Sequence, residues 1–182
     1  MGDDCLPHSV EFVERAYAFE HGRPFMIEVR AAQPGDGALL LMTTAELGSS
    51  HGWGEGMTAT APDFERDLFC DSPIIGALLA FVDGAFAGSA LWHRSYATSR
   101  GQEVMYLEDV VVLKNFRRLG VAEALLKNVA KTATKRGYKK VFWLVKDWNE
   151  NAQRLYKKVG AEIDAGNFYC SLHDQALLDL AQ

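Results

Sequence analysis

The run Arg117–Ala122, with the sequence Arg-Arg-Leu-Gly-Val-Ala, has the residue types and spacing of an anion-binding turn. It follows the apolar segment Val110–Leu113 and precedes apolar residues at helical spacing, so it predicts a turn between a strand and a helix. The first turn of a helix has unpaired N–H groups, and the helix dipole favours negative charge there. Gly120 lets the backbone approach a phosphate closely because glycine has no Cβ. The run therefore indicates a phosphate cradle, and a solvated basic turn is the alternative for Arg117.

Glu108 and Asp109 stand immediately before that apolar segment and after Tyr106-Leu107. A carboxylate beside a protonated amine can bind the cation and then take or relay its proton. In an extended strand the two side chains point to opposite faces, so only one of them can face a given reaction centre unless a bulge intervenes. The alternative is that both are carboxylates in solvent at the end of a strand.

Hydrophobic periodicity and turn residues predict the elements that hold these groups. Asp83-Gly84 is the strongest hairpin signal, and Arg136-Gly137 and Gly160 close two helices. The predicted strands are Phe25–Arg30, Ile75–Val82, Ala85–His93, Val104–Leu113, Lys140–Val145 and Asn167–Leu172. The predicted helices are a short one around Val10–Phe19, then Ala38–Leu47, Pro62–Cys70, Val121–Lys135 and Asn149–Val159, with Gly48–Gly56 as a mobile loop. Antiparallel strands followed by β-α-β-α-β indicate an α/β protein with a mixed sheet and helices on both faces.

Composition and charge limit the classes of function. The net charge of −5 argues against a general nucleic-acid binder, which usually carries a basic excess, and agrees weakly with a cationic substrate. Three cysteines without a CxxC spacing indicate reduced thiols in a cytosol-like compartment. No apolar run has the length of a membrane span, and no His/Cys/Asp cluster has metal-ligand spacing. We therefore expect a cytoplasmic protein that binds no metal, nucleic acid or membrane.

Three motifs, taken in order, carry a resemblance to a known family. They are Tyr106-Leu107-Glu108-Asp109, then Arg117-x-x-Gly120-x-Ala122, then Asn149 followed by Ala152, Tyr156 and Gly160-Ala161. Together they resemble the GNAT superfamily of N-acetyltransferases, closest to its diamine branch of spermidine/spermine and thialysine acetyltransferases. The resemblance is strong from about Ile75 to Leu172. It implies the GNAT fold, in which a mixed, mostly antiparallel sheet has two splayed central strands (α+β in some schemes). We expect one such domain over residues 25–182, after an N-terminal extension of residues 1–24 that is helical or flexible.

The resemblance also implies acetyl-CoA as the acyl donor, lying in the gap between the splayed strands. The backbone of Val110–Val112 would pair with the pantetheine amides like an added strand, and the Val110 N–H would donate to the carbonyl oxygen. Asn149 would bind the pantetheine arm, and a helix N-cap is the alternative for this residue. The residues expected at the cofactor are Val110, Val111, Val112, Arg117, Arg118, Leu119, Gly120, Val121, Ala122, Glu123, Asn149, Asn151 and Ala152.

The same resemblance implies direct acetyl transfer to a primary amine. Such an amine is mostly protonated at pH 7, and freeing its lone pair costs roughly 4–5 kcal/mol. Glu108 is expected to act as the base, through water, with Asp109 as an amine contact. Tyr156 is expected to protonate the leaving thiolate, the alternative being a tyrosine packed in the core. Glu55, in the glycine-rich loop that the resemblance places near the acceptor, is a further candidate amine contact, whereas His93 is interpreted as structural.

The acceptor predicted from the resemblance is a small aliphatic amine: a diamine, a polyamine or a lysine-like amino acid. The chain departs from the polyamine enzymes at Asp164–Asn167, where only one residue is acidic, and at Arg100, where those enzymes carry an acidic residue. A long polycation needs negative groups along its length, so these departures favour a shorter amine, and Arg100 could pair with a carboxylate. A protein N-terminal or lysine acetyltransferase is the alternative within the fold, and a non-catalytic acyl-CoA-binding module is the alternative from another class. Because family members often form dimers, we expect a homodimer.

Overall fold

The structure, a computed structural model, describes residues 13–20, 23–166, 169–170 and 174–181. The chain divides into two compact units, the first ending at Leu144 and the second beginning at Val145. The first unit contains a six-stranded sheet with the strands in sequence order. These strands are β1 (Val13–Glu20), β2 (Arg23–Ala31), β3 (Ile75–Val82), β4 (Ala85–Ala97), β5 (Gln102–Val112) and β6 (Val141–Phe142).

Every neighbouring pair in this sheet is antiparallel except β5 and β6, which run parallel. The sheet is therefore mixed and mostly antiparallel, as predicted. The helices of the first unit are α1 (Gly37–His51), α2 (Ala61–Phe69) and α3 (Val121–Lys135), with short 3-10 turns at Gly54–Gly56, Thr98–Arg100 and Lys114–Phe116. The second unit contains α4 (Glu150–Lys158) and α5 (Asp174–Leu180).

The two faces of β3 are covered by different helices. Leu79 and Ala77 pack with Leu40 of α1 and Leu68 of α2 in one buried cluster. Leu78, the next residue along the strand, points to the opposite face and is also buried. That opposite face is covered by α3, which contacts strands β2 to β5. Burial on both faces explains why β3 is an almost continuous apolar run, and it confirms the predicted helices on both sides of the sheet.

The predicted helix around Val10–Phe19 is wrong for the residues that the structure describes. Residues 13–20 form the edge strand β1, which pairs with β2 from Val13 opposite Arg30 to Glu20 opposite Arg23. Pairing with a neighbouring strand overrides the local preference that suggested a helix. Glu14 also holds the strand on α3, because its carboxylate forms ion pairs with Lys127 and Lys131. The expectation of an extension ending at residue 24 and one domain over residues 25–182 stays a prediction.

Three other predicted elements differ in length or type. α1 continues through Gly48 to His51 and ends at Gly52, whose φ of +78° suits a helix terminus, so the mobile loop predicted over Gly48–Gly56 is shorter than expected. β6 covers two residues rather than Lys140–Val145, because it pairs only with Met105 and Tyr106. Of the strand predicted at Asn167–Leu172, residues 169–170 are in no strand and the others lie outside the described residues. α5 was not predicted.

Candidate active site

A β-bulge interrupts the pairing of β4 with β5 at Glu108. Leu91 is opposite Asp109, and Trp92, the next residue of β4, is opposite Leu107, which leaves Glu108 without a partner of its own in the register. An extra residue of this kind re-aims the side chains on either side of it. The sequence alone allowed for a bulge here without predicting one.

Backbone hydrogen bonds on either side of Glu108 agree with this one-residue insertion. The Met105 N–H donates to Lys140 O, toward β6, whereas the Leu113 N–H donates to Ala87 O, toward β4. In a regular strand, residues separated by an even number of positions point the same way, so this reversal requires an extra residue between them. By the same alternation, the N–H groups of Val110 and Val112 point away from β4.

The edge of β5 that faces away from β4 is paired with β6 only at Met105 and Tyr106. The six residues Leu107–Val112 continue beyond the last of these pairs, so the sheet opens there. We call Leu107–Val112 the β5 edge. It includes Val110, the residue expected to donate its N–H to a substrate carbonyl oxygen, and this geometry is the local form of the splayed strands expected from the fold. The role of Val110 itself stays a prediction.

The bulge brings the two carboxylates to the same face of the sheet. Asp109 is opposite Leu91, and His93, two residues further along β4, is on the same face as Leu91. Glu108 reaches that face too, because its Oε2 lies 3.5 Å from Nε2 of His93. Opposite faces were expected only for a strand without a bulge, so the structure shows the other case that the sequence left open.

The two carboxylates differ in their surroundings. Asp109 is largely buried, and this burial, with the negative charge of Glu108, raises its pKa from 3.8 to about 6. The side chain of Glu108 is half exposed. A carboxyl group that titrates near pH 6 is well matched to accepting a proton at neutral pH, so Asp109 joins Glu108 as a candidate base.

The turn between β5 and α3 has the backbone geometry of an anion cradle. Arg118 and Gly120 both have positive φ angles, +67° and +87°. Gly120 is the N-cap of α3, and because it has no side chain it cannot itself cap this terminus by a side-chain hydrogen bond. The first-turn N–H groups of Val121 and Ala122 have no carbonyl partner within the helix by its geometry. Amides arranged in this way favour a phosphate group, and the helix dipole adds to the attraction.

Arg117 forms hydrogen bonds with protein groups although its side chain is about half exposed. Its Nη2 donates to Oε1 of Glu46 on α1 at 2.6 Å, and its Nε donates to the carbonyl oxygen of Val112 at 3.2 Å. The side chain thus joins α1 to the end of β5 and supports the turn. Sequence reasoning missed Glu46, because it lies 71 positions away and carries no motif. The predicted contact of Arg117 with a phosphate stays a prediction.

In the second unit, Asn149 caps α4. Its Oδ1 accepts a hydrogen bond from the Ala152 N–H at 3.2 Å, which is the alternative considered for this residue. Asn151 accepts a hydrogen bond from Arg154 at 2.6 Å. Tyr156 is half-buried on the same helix. The cofactor contacts expected of Asn149, Asn151 and Ala152 stay predictions. The acid role of Tyr156 also stays a prediction.

Glu55 is exposed in the 3-10 turn that follows α1. Trp53, just before it, packs on the last turns of α1: a Cβ placed at Gly48 would lie 3.0 Å from Cζ3 of Trp53 and from Cα of Gly54. The turn is therefore held against the helix by a contact that only glycine permits at position 48. The contact of Glu55 with an amine stays a prediction.

Coenzyme A fits this set of groups. The N-terminus of α3 suits its pyrophosphate, and the β5 edge, which pairs with no other strand among the described residues, suits the amides of its pantetheine arm. Within the described ranges, no group of three or more His, Cys, Asp or Glu side chains is placed to hold a metal ion. Among the helices that the structure describes, none is long and apolar enough to cross a membrane.

A mixed sheet that opens beside a helix N-terminus is the architecture of an acyl-CoA-dependent transferase. The model of the acetyltransferase (GNAT) family matches residues 43–161, which is more than half of the chain. The chain therefore belongs to the GNAT family of acetyltransferases, and the predicted membership is confirmed.

Similar proteins confirm the diamine branch of that family. A thialysine N-epsilon-acetyltransferase from Bos taurus is 28% identical over 166 residues, which cover 85% of this chain and 97% of that protein. One from Caenorhabditis elegans is 30% identical over 132 residues, covering 72% and 81%. An L-ornithine N5-acetyltransferase from Arabidopsis thaliana is 36% identical over 95 residues, covering 52% and 42%.

Solved structures show the same fold. An integron cassette protein from the mobile metagenome of V. cholerae has a TM-score of 0.70 at 21% identity, covering 86% of this chain and 98% of that one. An aminoglycoside N-acetyltransferase in complex with CoA has a TM-score of 0.65 at 22% identity, covering 82% and 97%.

Proposed function

We propose that this acetyltransferase transfers the acetyl group of acetyl-CoA directly to a primary amine of a small aliphatic acceptor. The observation that carries the proposal is the bulge at Glu108, which sets two carboxylates on one face of β5 beside the β5 edge. Two carboxylates attract a cationic amine and can accept its proton. Similar proteins are named as acetyltransferases of thialysine and of ornithine, and these names favour the same class of acceptor.

Acetyl-CoA supplies an activated acetyl thioester. Val121 and Ala122 would hold its pyrophosphate through their backbone N–H groups, with Arg118 and Leu119 in the turn before them and Glu123 in the same helical turn. The β5 edge would pair with its pantetheine arm, and the Val110 N–H would stabilise negative charge on the carbonyl oxygen. Calorimetry with CoA tests this assignment, and well-folded protein that gives no heat with CoA or acetyl-CoA would exclude it.

Glu108 and Asp109 share the task of binding and deprotonating the amine in this proposal. Glu108 is the base, acting through water, and Asp109 is the amine contact; the raised pKa of Asp109 makes it a second candidate for the base. The pH dependence of kcat/KM separates the two. Glu108→Gln should move the acidic limb of the profile if Glu108 is the base, and Asp109→Asn should remove a limb near pH 6 if Asp109 is.

The control for these two variants is Glu103→Gln. Glu103 is on the same strand and is exposed, and it pairs with Arg94 at 3.4 Å. We expect it to leave the profile unchanged. Two site variants with the wild-type rate and profile would remove both carboxylates from the mechanism.

Tyr156 is the acid in this proposal, giving its proton to the departing thiolate. A phenol has an ordinary pKa near 10 and a thiol one near 8.5, so the transfer is possible at modest cost. Tyr156→Phe should lower kcat by about a hundredfold, in the range of general acid catalysis, with the Kd of CoA nearly unchanged. Tyr96→Phe, an exposed tyrosine at the end of β4, is the matched control. Equal kcat in the two variants would exclude the acid role.

The acceptor is settled by a panel of amines assayed through CoA release. We propose that lysine-like amino acids, including thialysine and ornithine, react faster than spermidine and spermine. Arg100 supports this preference: it is exposed in the 3-10 turn before β5, and its guanidinium can pair with an amino acid carboxylate. Arg100→Gln should then raise KM for lysine-like substrates and leave KM for diamines unchanged.

The same panel tests the two alternatives. Transfer to peptide N-termini or to lysine side chains in peptides, with no reaction on free amines, would favour a protein acetyltransferase. CoA binding without any transfer would favour a non-catalytic binding module. We also propose a homodimer in the cytoplasm, which size-exclusion chromatography with light scattering and a tagged chain in cells would test.

A further inference from the structure

Acetylation of a protonated amine by a thioester releases one proton per turnover. The reactants are an ammonium ion and acetyl-CoA, and the products are a neutral amide, free thiol and one proton. A carboxylate that accepts the proton must pass it to water before the next turnover. The question that follows from the proposed function, on which this inference rests, is which neighbouring group can take that proton from Glu108.

His93 is placed to make that connection. Its Nε2 lies 3.5 Å from Oε2 of Glu108. Its other ring nitrogen, Nδ1, lies 2.8 Å from the carbonyl oxygen of Arg94. A carbonyl oxygen only accepts, so Nδ1 carries a hydrogen, and in the neutral ring Nε2 is then the basic atom. The basic nitrogen of His93 therefore faces the carboxylate that is proposed to take the proton.

Two aromatic rings hold the imidazole in this orientation. The ring centroid of His93 lies 5.0 Å from that of Tyr106, and the Tyr106 ring meets Phe142 of β6 edge-on at 4.9 Å. The imidazole is nevertheless 38% exposed, and the Glu108 carboxylate is 50% exposed. The ring thus has one nitrogen fixed by the backbone, one facing the carboxylate, and enough accessible surface to exchange a proton with water.

The charged and titratable groups around the ring come from β4 and β5. Glu108 faces it from β5, and Asp109 is on the same face of the same strand. Tyr106 is the remaining titratable neighbour from β5, through the ring contact already described. Arg94 contributes its backbone carbonyl, while its side chain pairs with Glu103.

We propose that His93 is the relay through which Glu108 returns its proton to solvent, and that it also positions the bulged carboxylate. The amine gives its proton to Glu108, directly or through water, and Glu108 is then neutral. Glu108 passes that proton to Nε2 of His93, which becomes an imidazolium ion while Glu108 recovers its charge. The imidazolium gives a proton to water or buffer, so one proton leaves per acetyl group transferred and no other reactant is needed.

The test is the dependence of kcat on buffer concentration in His93→Ala and His93→Phe, with the best amine from the panel. At low buffer concentration and pH 7 we expect kcat of each variant to fall about tenfold, less than for loss of a general base, because water also reaches the half-exposed Glu108 and can take the proton directly. Added imidazole should restore kcat of His93→Ala in a saturable way, with KM for the amine unchanged. Added imidazole should not change kcat of Glu108→Gln, since this variant lacks the carboxyl group that passes the proton to His93.

His93→Phe retains an aromatic ring beside Tyr106, so a fall in its kcat cannot be explained by loss of that ring contact. Glu103→Gln, which changes a carboxylate paired on the same two strands, should keep its full rate at every buffer concentration. A wild-type kcat in both His93 variants, or a loss that imidazole does not restore in His93→Ala, would overturn the relay. Wild-type protein that acetylates no amine would overturn the proposed function, which is a different result.

Discussion

Asp109→Asn should make the protein more stable than the wild type at pH 8 while changing its stability little near pH 4. Asp109 is largely buried, and among the described residues up to Leu144 its nearest charge is the carboxylate of Glu108. An ionised Asp109 is therefore costly in the native state. Asparagine has nearly the same shape and carries no charge, so the substitution removes this cost and fills the same space.

The magnitude follows from the raised pKa. A shift from 3.8 to about 6 corresponds to roughly 3 kcal/mol between the two protonation states. Because the pKa is higher in the native state than in the unfolded chain, the native protein binds this proton more tightly. The stabilisation is complete below the unfolded pKa of 3.8 and is lost as the pH rises through about 6. About 1.4 kcal/mol of that loss falls between pH 5 and pH 8.

The assay is urea unfolding of both proteins at several pH values between 5 and 8, supported by thermal melts. The free energy of unfolding of Asp109→Asn, relative to wild type, should rise by about 1.4 kcal/mol over this range and reach about 3 kcal/mol at pH 8. For a chain of this size the latter equals about 6–12 °C in Tm. Activity should fall in the same variant, since it removes a group proposed to bind the amine.

The control is Asp71→Asn, which removes an exposed carboxyl group outside the site from a chain of net charge −5. It should show no such pH dependence relative to wild type. Glu108→Gln should show a smaller gain than Asp109→Asn, because Glu108 is the lesser cause of the raised Asp109 pKa. Parallel stability curves for wild type and Asp109→Asn, or a less stable variant at pH 8, would refute the reasoning.

Four further substitutions test other parts of the structure. Gly120→Ala should cost about 1–2 kcal/mol of stability from its positive φ alone and should weaken CoA binding, measured by calorimetry. Arg117→Gln and Glu46→Gln should each raise the Kd of CoA by up to about fivefold, and the double variant should be no worse than either, because each breaks the same ion pair. Gly48→Ala should displace the turn after α1, raising KM for the amine but not the Kd of CoA. Asn128→Leu should raise the free energy of unfolding by about 1 kcal/mol, because the buried Oδ1 of Asn128 has no hydrogen-bond partner within the part of the chain that the structure describes.

Each of these expectations has a contrary outcome. Unchanged CoA binding in Gly120→Ala would show that the turn before α3 does not bind the cofactor. Additive losses of CoA affinity in Arg117→Gln and Glu46→Gln would show that the two residues act independently. A Gly48→Ala variant with a weaker affinity for CoA and an unchanged KM for the amine would show that the turn after α1 contributes to CoA binding and not to amine binding. Lower stability of Asn128→Leu would mean that its amide supports α3 more than the unpaired oxygen destabilises it.

Local sequence patterns were sufficient wherever the deciding interactions lie close along the chain. The sequence predicts the helix Val121–Lys135 with its observed bounds, because the apolar spacing lies within the helix and Gly120 and Gly137 lie next to its two ends. The Asp83-Gly84 hairpin was predicted for the same reason, although β4 continues to Ala97, four residues beyond the expected end. The end of a strand depends on its neighbours, and here β5 extends the pairing of β4 to Gln102 opposite Ala97.

The errors lie where a distant partner decides the conformation. Residues 13–20 form a strand because β2 pairs with them, and α3 holds them through Glu14, which no window of local sequence reveals. The strand expected over Lys140–Val145 is reduced to Val141–Phe142, because only these two residues pair with β5. Position 48 lies inside a helix although glycine there suggested a loop; the glycine leaves room for Trp53 and Gly54, which would lie only 3.0 Å from a Cβ at this position.

The sequence by itself determined which residue types are available for the chemistry, the strand–turn–helix around Arg117–Ala122, and the family to which the chain belongs. Only the tertiary structure decided how those residues act together. The register of β4 against β5 creates the bulge at Glu108, and that bulge brings Asp109 and Glu108 to one face with His93. A one-residue offset between strands reverses the direction of every side chain beyond it, and the offset depends on pairing across the sheet. No pattern within either strand alone contains that information.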